Sequence, residues 1–171
     1  MTASAPAPSV DELNTLVHDV EDPELPHVTI GDLGMVRNVV IDGRLARITL
    51  TPTYTGCPAT EQIQEDVAAA VAAAGFTPVI EFAMSPAWTS DWITPRGRQR
   101  LVEAGIAPPQ ERAQERAQER AGDASGSAEF VECPRCGSRR TRSITFFGST
   151  ACKASYTCQA CLEPFDHFKS I

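Results

Sequence analysis

Apolar positions in the first part of the chain switch between two periods. Leu13, Leu16, Val17 and Val20 recur at helical spacing behind Ser9-Val-Asp-Glu12, which has the form of a capping box. The predicted helix stops by Asp22, because Pro23 disfavours helical geometry in the residue before it. Asp22-Pro-Glu-Leu-Pro26 then reads as an extended acidic loop, an exposed turn whose two carboxylates also suit a base or hard-metal ligands. A period of two takes over in Met35 to Ile41 and Leu45 to Leu50, which flank Asp42-Gly43, a dipeptide suited to the positive backbone angles of a hairpin turn. From Ala59 to Ala74 the spacing is helical again, with Ile63, Val67, Val71 and Ala74 on one face and Gly75 as the stop. Phe76 to Met84 predicts a third strand, able to return parallel to a hairpin strand through a right-handed crossover. The expected architecture is α+β, a small two-layer α/β domain with a three-stranded mixed sheet and helices.

Past this sheet the pattern weakens. Pro86-Ala-Trp-Thr-Ser-Asp-Trp92 is an irregular loop whose tryptophans close the end of a core, and Thr94-Pro95 starts a short helix that Gly105 ends. Arg96, Arg98 and Arg100 crowd into that helix as a solvated face, with an anion or partner contact as the sharper meaning. From Gln110 to Ala121 the unit Gln-Glu-Arg-Ala repeats, with no apolar face beyond alanine, and Gly122 to Ser127 follows as a flexible linker. Residues 1–8 are small and Pro-rich, a composition expected to be disordered. The predicted organisation is a domain over 9–108, a low-complexity charged linker over 109–128 and a small module over 129–171.

Composition narrows the classes. Aromatics make up 6% of 171 residues, which argues against one large core. No apolar run approaches the ~20 residues of a membrane span, and the Ala/Pro start has no basic segment followed by an apolar one, so a cytoplasmic protein is expected. Residues 1–128 hold 9 Lys/Arg against 18 Asp/Glu and residues 129–171 hold 6 against 4, within a net charge of −7. An acidic body of this kind argues against general nucleic-acid binding, which needs a concentrated basic face. The arginines around the first cysteine pair leave that reading as a distant third.

Five of the 6 cysteines follow residue 130, and in a reducing compartment they argue for metal or redox chemistry over a disulfide framework. Cys133-Pro-Arg-Cys136-Gly and Cys158-Gln-Ala-Cys161 are two C-x-x-C pairs 21 residues apart, the arithmetic of a zinc ribbon with short strands around Ser143 to Phe147, Ser155 to Thr157 and Phe165 to Phe168. Four thiolates make a closed tetrahedral site, and so small a module has too little core to fold unaided. Zinc is favoured over a single rubredoxin-like iron, which the first knuckle also suits. Cys152 is left over, as ribbon packing or as a fifth thiol able to exchange. Cys57 stands apart, where the strand ending at Leu50 hands over to the helix starting at Ala59. A thiol at a helix N-terminus is favoured as thiolate, which makes Cys57 a candidate reactive or metal-binding sulfur; a small buried apolar residue is the plainer meaning. His18, His27 and His167 lack metalloprotease spacing, and neither a Ser/His/Asp set nor a Gly-rich phosphate loop is present. Ordinary hydrolase and nucleotide chemistry have no foothold, and a Cys57 nucleophile would lack an identifiable base.

Asp22-Pro-Glu, Asp32-Leu-Gly34 and Thr55-Gly-Cys-Pro58 followed by a helix resemble the small α/β family that includes SufT-like proteins and the cytosolic iron–sulfur targeting factors. Joined to Pro86-Ala-Trp-Thr, Asp91-Trp-Ile, Gly105-Ile-Ala-Pro-Pro109, Gly148-Ser-Thr-Ala-Cys-Lys153 and Glu163-Pro-Phe-Asp166, the pattern is similar to the PaaD family of bacterial phenylacetyl-CoA epoxidase components. The resemblance covers nearly everything except residues 1–8 and 110–128. It implies a non-catalytic accessory subunit, with the di-iron oxygenase and the iron–sulfur flavin reductase as separate chains and partners, one of which it helps to mature. It places Asp22, Glu24 and Cys57 as working residues, and Cys133, Cys136, Cys158 and Cys161 as ligands of structural zinc. A transient iron or iron–sulfur cluster at Cys57 would need a dimer mate, a small thiol or the client to complete it, since clusters are usually held by four protein ligands. The alternative is a scaffold or interaction subunit with no metal-transfer role.

Overall fold

A computed structural model describes residues 8–54, 56–110 and 131–170. The Pro-rich start through residue 7 and the Gln-Glu-Arg-Ala repeat from residue 111 onward, on which disorder and a linker are expected, lie outside the described residues. The chain divides into two compact units, the first ending at Trp88 and the second beginning at Thr89.

In the first unit, α1 (Val10–His18) starts on the expected capping box: Glu12 N–H donates to Ser9 Oγ at 3.3 Å and Ser9 N–H to the Glu12 carboxylate at 2.7 Å. These bonds hold the Glu12 carboxyl below its ordinary value of 4.5, the Ser9 backbone N–H contributing most. Leu13 and Val17, one turn apart, are fully buried. β1 (Val36–Asp42) and β2 (Leu45–Leu50) pair antiparallel, and β3 (Thr77–Phe82) joins β2 in parallel, giving the order β1-β2-β3 of the predicted mixed sheet. The turn is Gly43-Arg44, one residue later than expected, because Asp42 pairs with Leu45; Gly43 supplies the positive φ of 59°.

α2 (Ala59–Ala73) makes the crossover and buries Ala59, Ile63, Val67 and Val71. It ends with Phe76 N–H on the Val71 carbonyl and Gly75 N–H on the Ala72 carbonyl, the paired bonds of a Schellman motif. Strand alternation puts Ala46, Ile48 and Leu50 of β2 at 0% exposure, while Arg47, on the other side, forms an exposed ion pair with Glu81 at 3.6 Å. Both helices pack on the sheet, and each fully buried aliphatic side chain contributes roughly 1.5–3 kcal/mol to that packing.

The second unit contains a single 3-10 turn at Ser90–Trp92, α3 (Pro95–Glu103), β4 (Ile106–Ala107), β5 (Thr141–Thr145), β6 (Lys153–Cys158) and β7 (Pro164–Phe168). Its sheet runs β4-β7-β6-β5, with β4 parallel to β7 and the other pairs antiparallel. The compact unit that holds the ribbon begins at Thr89, so residues 89–110 lie within it. A three-stranded ribbon has little apolar surface to bury, and Ala107 completes its core with Val131, Cys133, Cys158 and Phe165. His167, 1% exposed, bonds through Nδ1 to the Ala107 carbonyl at 3.1 Å. Arg98 donates to the carbonyls of Pro109 at 2.6 Å and Ser90 at 3.0 Å, so it holds backbone instead of lying on a solvated face.

Candidate functional site

The two cysteine pairs sit on matching knuckles. Cys133 N–H donates to the Ser138 carbonyl and Gly137 N–H to the Cys133 carbonyl; in the second knuckle Cys158 N–H donates to Glu163 and Leu162 N–H to Cys158. Gly137 and Leu162, equivalent in this scheme, have φ of 69° and 65°. The two knuckles bring their thiols together, and the four sulfurs all lie within 4.8 Å of one another. Cys133 and Cys161 are 3.8 Å apart and Cys136 and Cys158 3.6 Å apart. A tetrahedral zinc with Zn–S bonds of about 2.3 Å separates its sulfurs by about 3.8 Å, so the donor set fits zinc.

The thiols are electrostatically unequal. Cys158 is held down to about 6, chiefly by the Cys161 backbone N–H, with the Ala160 N–H and the Cys136 and Cys161 sulfurs adding. The Ser138 N–H lowers Cys136, but desolvation and the sulfurs of Cys158, Cys161 and Cys133 outweigh it and push the thiol up to about 12. One thiolate thus forms readily and disfavours its neighbours, an imbalance that a divalent cation removes. Cys152 is buried, with its sulfur 3.1 Å from Thr150 Oγ1, and is not one of the four clustered thiols. Cys133 and Cys158 are buried while Cys136 and Cys161 face solvent.

Two connecting segments converge at one end of the first unit's sheet. Because β1 enters where β2 leaves, with Val36 opposite Leu50, the segment before β1 and the segment after β2 meet there. Thr51 N–H on the Met35 carbonyl at 2.8 Å joins them, and Ala83 N–H on the Leu50 carbonyl brings the exit of β3 to the same end. Ligand sites of parallel α/β sheets form at these carboxyl ends of strands. Cys57 is half-buried, its N–H donating to the Tyr54 carbonyl at 3.3 Å and its carbonyl accepting from Thr60 at 3.1 Å, immediately before an α2 whose N-cap, Pro58, makes no side-chain bond.

Asp22 and Glu24 are also half-buried. Glu24 N–H donates to Asp22 Oδ1 at 2.8 Å, so one Asp22 oxygen closes the turn. The loop is not extended as expected: it folds back through the Glu21–Thr29 bridge and is nailed down by Leu25, Val28, Ile30 and Leu33. Two residues at this end escaped the sequence reading as site candidates. Asp32, fully buried, accepts from Thr29 N–H through Oδ2 and answers with its own N–H to Thr29 Oγ1. Thr51, 2% exposed, has a buried Oγ1 without a hydrogen-bond partner. The Asp32-Leu-Gly34 motif pointed at the first; no local signal marks Thr51.

Residues 11–76 match the family described as iron–sulfur cluster assembly protein, and residues 117–169 match the PaaD zinc beta ribbon domain. A domain of unknown function, DUF59, from Bacillus anthracis has a similar fold, with a TM-score of 0.50 and 29% identity over 54% of this chain and 90% of that one. An "Fe-S protein maturation auxiliary factor" of Porphyromonas gingivalis is 34% identical over 100 residues, 56% of this chain and 90% of that protein. The D component of the putative 1,2-phenylacetyl-CoA epoxidase of Escherichia coli is 47% identical over 170 residues, covering 99% of this chain and 98% of that protein. With both units matched in order and the whole length aligned, this chain belongs to the PaaD family of phenylacetyl-CoA epoxidase components.

Proposed function

We propose that the chain is a non-catalytic accessory subunit of a multicomponent phenylacetyl-CoA epoxidase that assists iron or iron–sulfur maturation of the oxygenase or reductase subunit. What supports this reading is the strand order of the first sheet, in which the segment entering β1 and the segment leaving β2 toward a half-exposed Cys57 meet at one end. A soft sulfur beside hard carboxylates offers iron, as cargo, a mixed and incomplete ligand set. Incompleteness suits a carrier: one thiolate with two carboxylates holds iron less firmly than the four ligands of a finished site, so a client's cysteines or a dimer mate can complete the transfer. The ribbon holds structural zinc through Cys133, Cys136, Cys158 and Cys161, which leaves Cys57 for cargo. Among the described residues no helix is long and apolar enough to cross a membrane, and none of the cysteines forms a disulfide; both support work in the cytoplasm.

The test is to produce the oxygenase and reductase subunits beside the parent chain or its Cys57→Ser variant and to measure the iron in each. Reduced iron in one client is expected and names it. Full iron and full epoxidation with Cys57→Ser would transfer the role to a scaffold without metal handling, a reading favoured by the second unit, whose residues 89–110 enlarge the ribbon beyond a minimal metal knuckle.

A further inference from the structure

Residues 133–147 contain 4 arginines and no acidic residue, in a chain whose net charge is −7. β5 lies in this segment and ends the order β4-β7-β6-β5, so among the described residues its outer backbone edge pairs with no strand. From Arg142 to Thr145 every residue of β5 is exposed. Just beyond it Phe146 and Phe147 meet edge to face at 5.2 Å and stand 67% and 60% exposed, next to Ile144 at 61%. Lys169 Nζ, on a residue only 8% exposed, sits 4.3 Å and 4.6 Å from the two ring centroids, which steadies the rings. Glu132 pairs with Arg139 at 3.7 Å, which leaves Arg140 and Arg142 as the cations flanking the strand's start.

We infer that this edge is a docking site for an extended, acidic protein segment with aromatic or aliphatic anchors, added as a further strand beside β5. An open edge supplies backbone donors and acceptors, the arginines select carboxylates, and the exposed rings take an apolar side chain. Arginine and aromatic residues are also the types that carry binding energy at interfaces. A nucleic acid fits less well, because 4 arginines, one of them paired with Glu132, fall short of the concentrated basic face that phosphate binding needs. The inference rests on the proposed accessory role only in requiring a protein partner; it makes no use of Cys57.

The experiment follows backbone amides of the full zinc-loaded chain by NMR while three probes are added: a random glutamate–tyrosine copolymer, polyglutamate of matched charge, and duplex DNA. The copolymer is expected to shift amides across 140–147, to bind more tightly than either other probe, and to weaken at high salt. Arg140→Glu with Arg142→Glu, and separately Phe146→Ser with Phe147→Ser, are expected to weaken it about tenfold, with zinc content unchanged as the check on folding. Undisturbed 140–147 amides, equal binding of polyglutamate, or tighter binding of DNA would each overturn the inference. So would self-association abolished by the same substitutions, which would assign the edge to a second copy. The Cys57→Ser chain should bind the copolymer as the parent does; full client iron with that variant fails the maturation reading and leaves docking standing, whereas reduced client iron with undisturbed 140–147 amides fails the docking inference alone.

Discussion

The indole N–H of Trp88 donates to the Leu33 carbonyl at 2.8 Å across 55 residues of sequence. Trp88 is 4% exposed, so this bond pins the exit of β3 to the loop that carries Asp22 and Glu24. Trp88→Phe keeps most of the ring volume and leaves the carbonyl without its donor, at a cost of about 1–3 kcal/mol. Chemical denaturation of the full chain should show that loss, and amide exchange should accelerate in residues 19–35 before it does in α2.

Gly31 lies against the end of α1. A Cβ built there would meet the His18 carbonyl oxygen at 2.6 Å, and Gly31 N–H already donates to that carbonyl at 3.1 Å. Gly31→Ala should therefore force helix and loop apart and destabilise the chain by roughly 1–3 kcal/mol, read as a lower denaturation midpoint. An unchanged midpoint would mean that the loop yields freely, contrary to its packing.

Metal content separates the ribbon cysteines. Cys158→Ser should abolish stoichiometric zinc, because a hydroxyl replaces one of the four clustered thiols, and the small core of the second unit should unfold with it. Cys152→Ser, outside the cluster, should keep a full equivalent of zinc, measured by elemental analysis of the purified protein.

Leu162 is 79% exposed at a positive φ that its counterpart in the first knuckle meets with glycine. Left-handed geometry costs a side-chain-bearing residue roughly 1–2 kcal/mol. Leu162→Gly should thus keep the metal and leave stability equal or slightly higher. Gly137→Leu should lower it by about 1–2 kcal/mol, and thermal unfolding monitored together with zinc release checks both.

Glu12 gives the pH dependence a sign. Its folded carboxyl is held below the unfolded value of 4.5, so its contribution is complete above that pH and is lost as pH falls through the lowered folded value. An NMR titration should find the Glu12 midpoint below 4.5 and the α1 N-terminus fraying in step, while Ser9→Ala should move the midpoint back up.

Local chemistry along the chain was enough to specify most of the elements. Ser9 and Glu12 start α1, period-two alternation writes β1 and β2, Gly75 stops α2, and the cysteine spacing names a four-sulfur module, because each of these depends on atoms a few residues apart. Tertiary structure alone decided what depends on distant partners. That the acidic loop of Asp22 is packed instead of extended follows from burying Leu25, Val28, Ile30 and Leu33. That residues 89–110 belong with the ribbon follows from the β4–β7 pairing and the reach of Arg98 to Pro109. The meeting of the segment before β1 with the segment after β2 follows from strand order, and the buried hydroxyl of Thr51 from packing. A lone strand pattern carries no record of its neighbour, since backbone pairing is made by groups that every residue has.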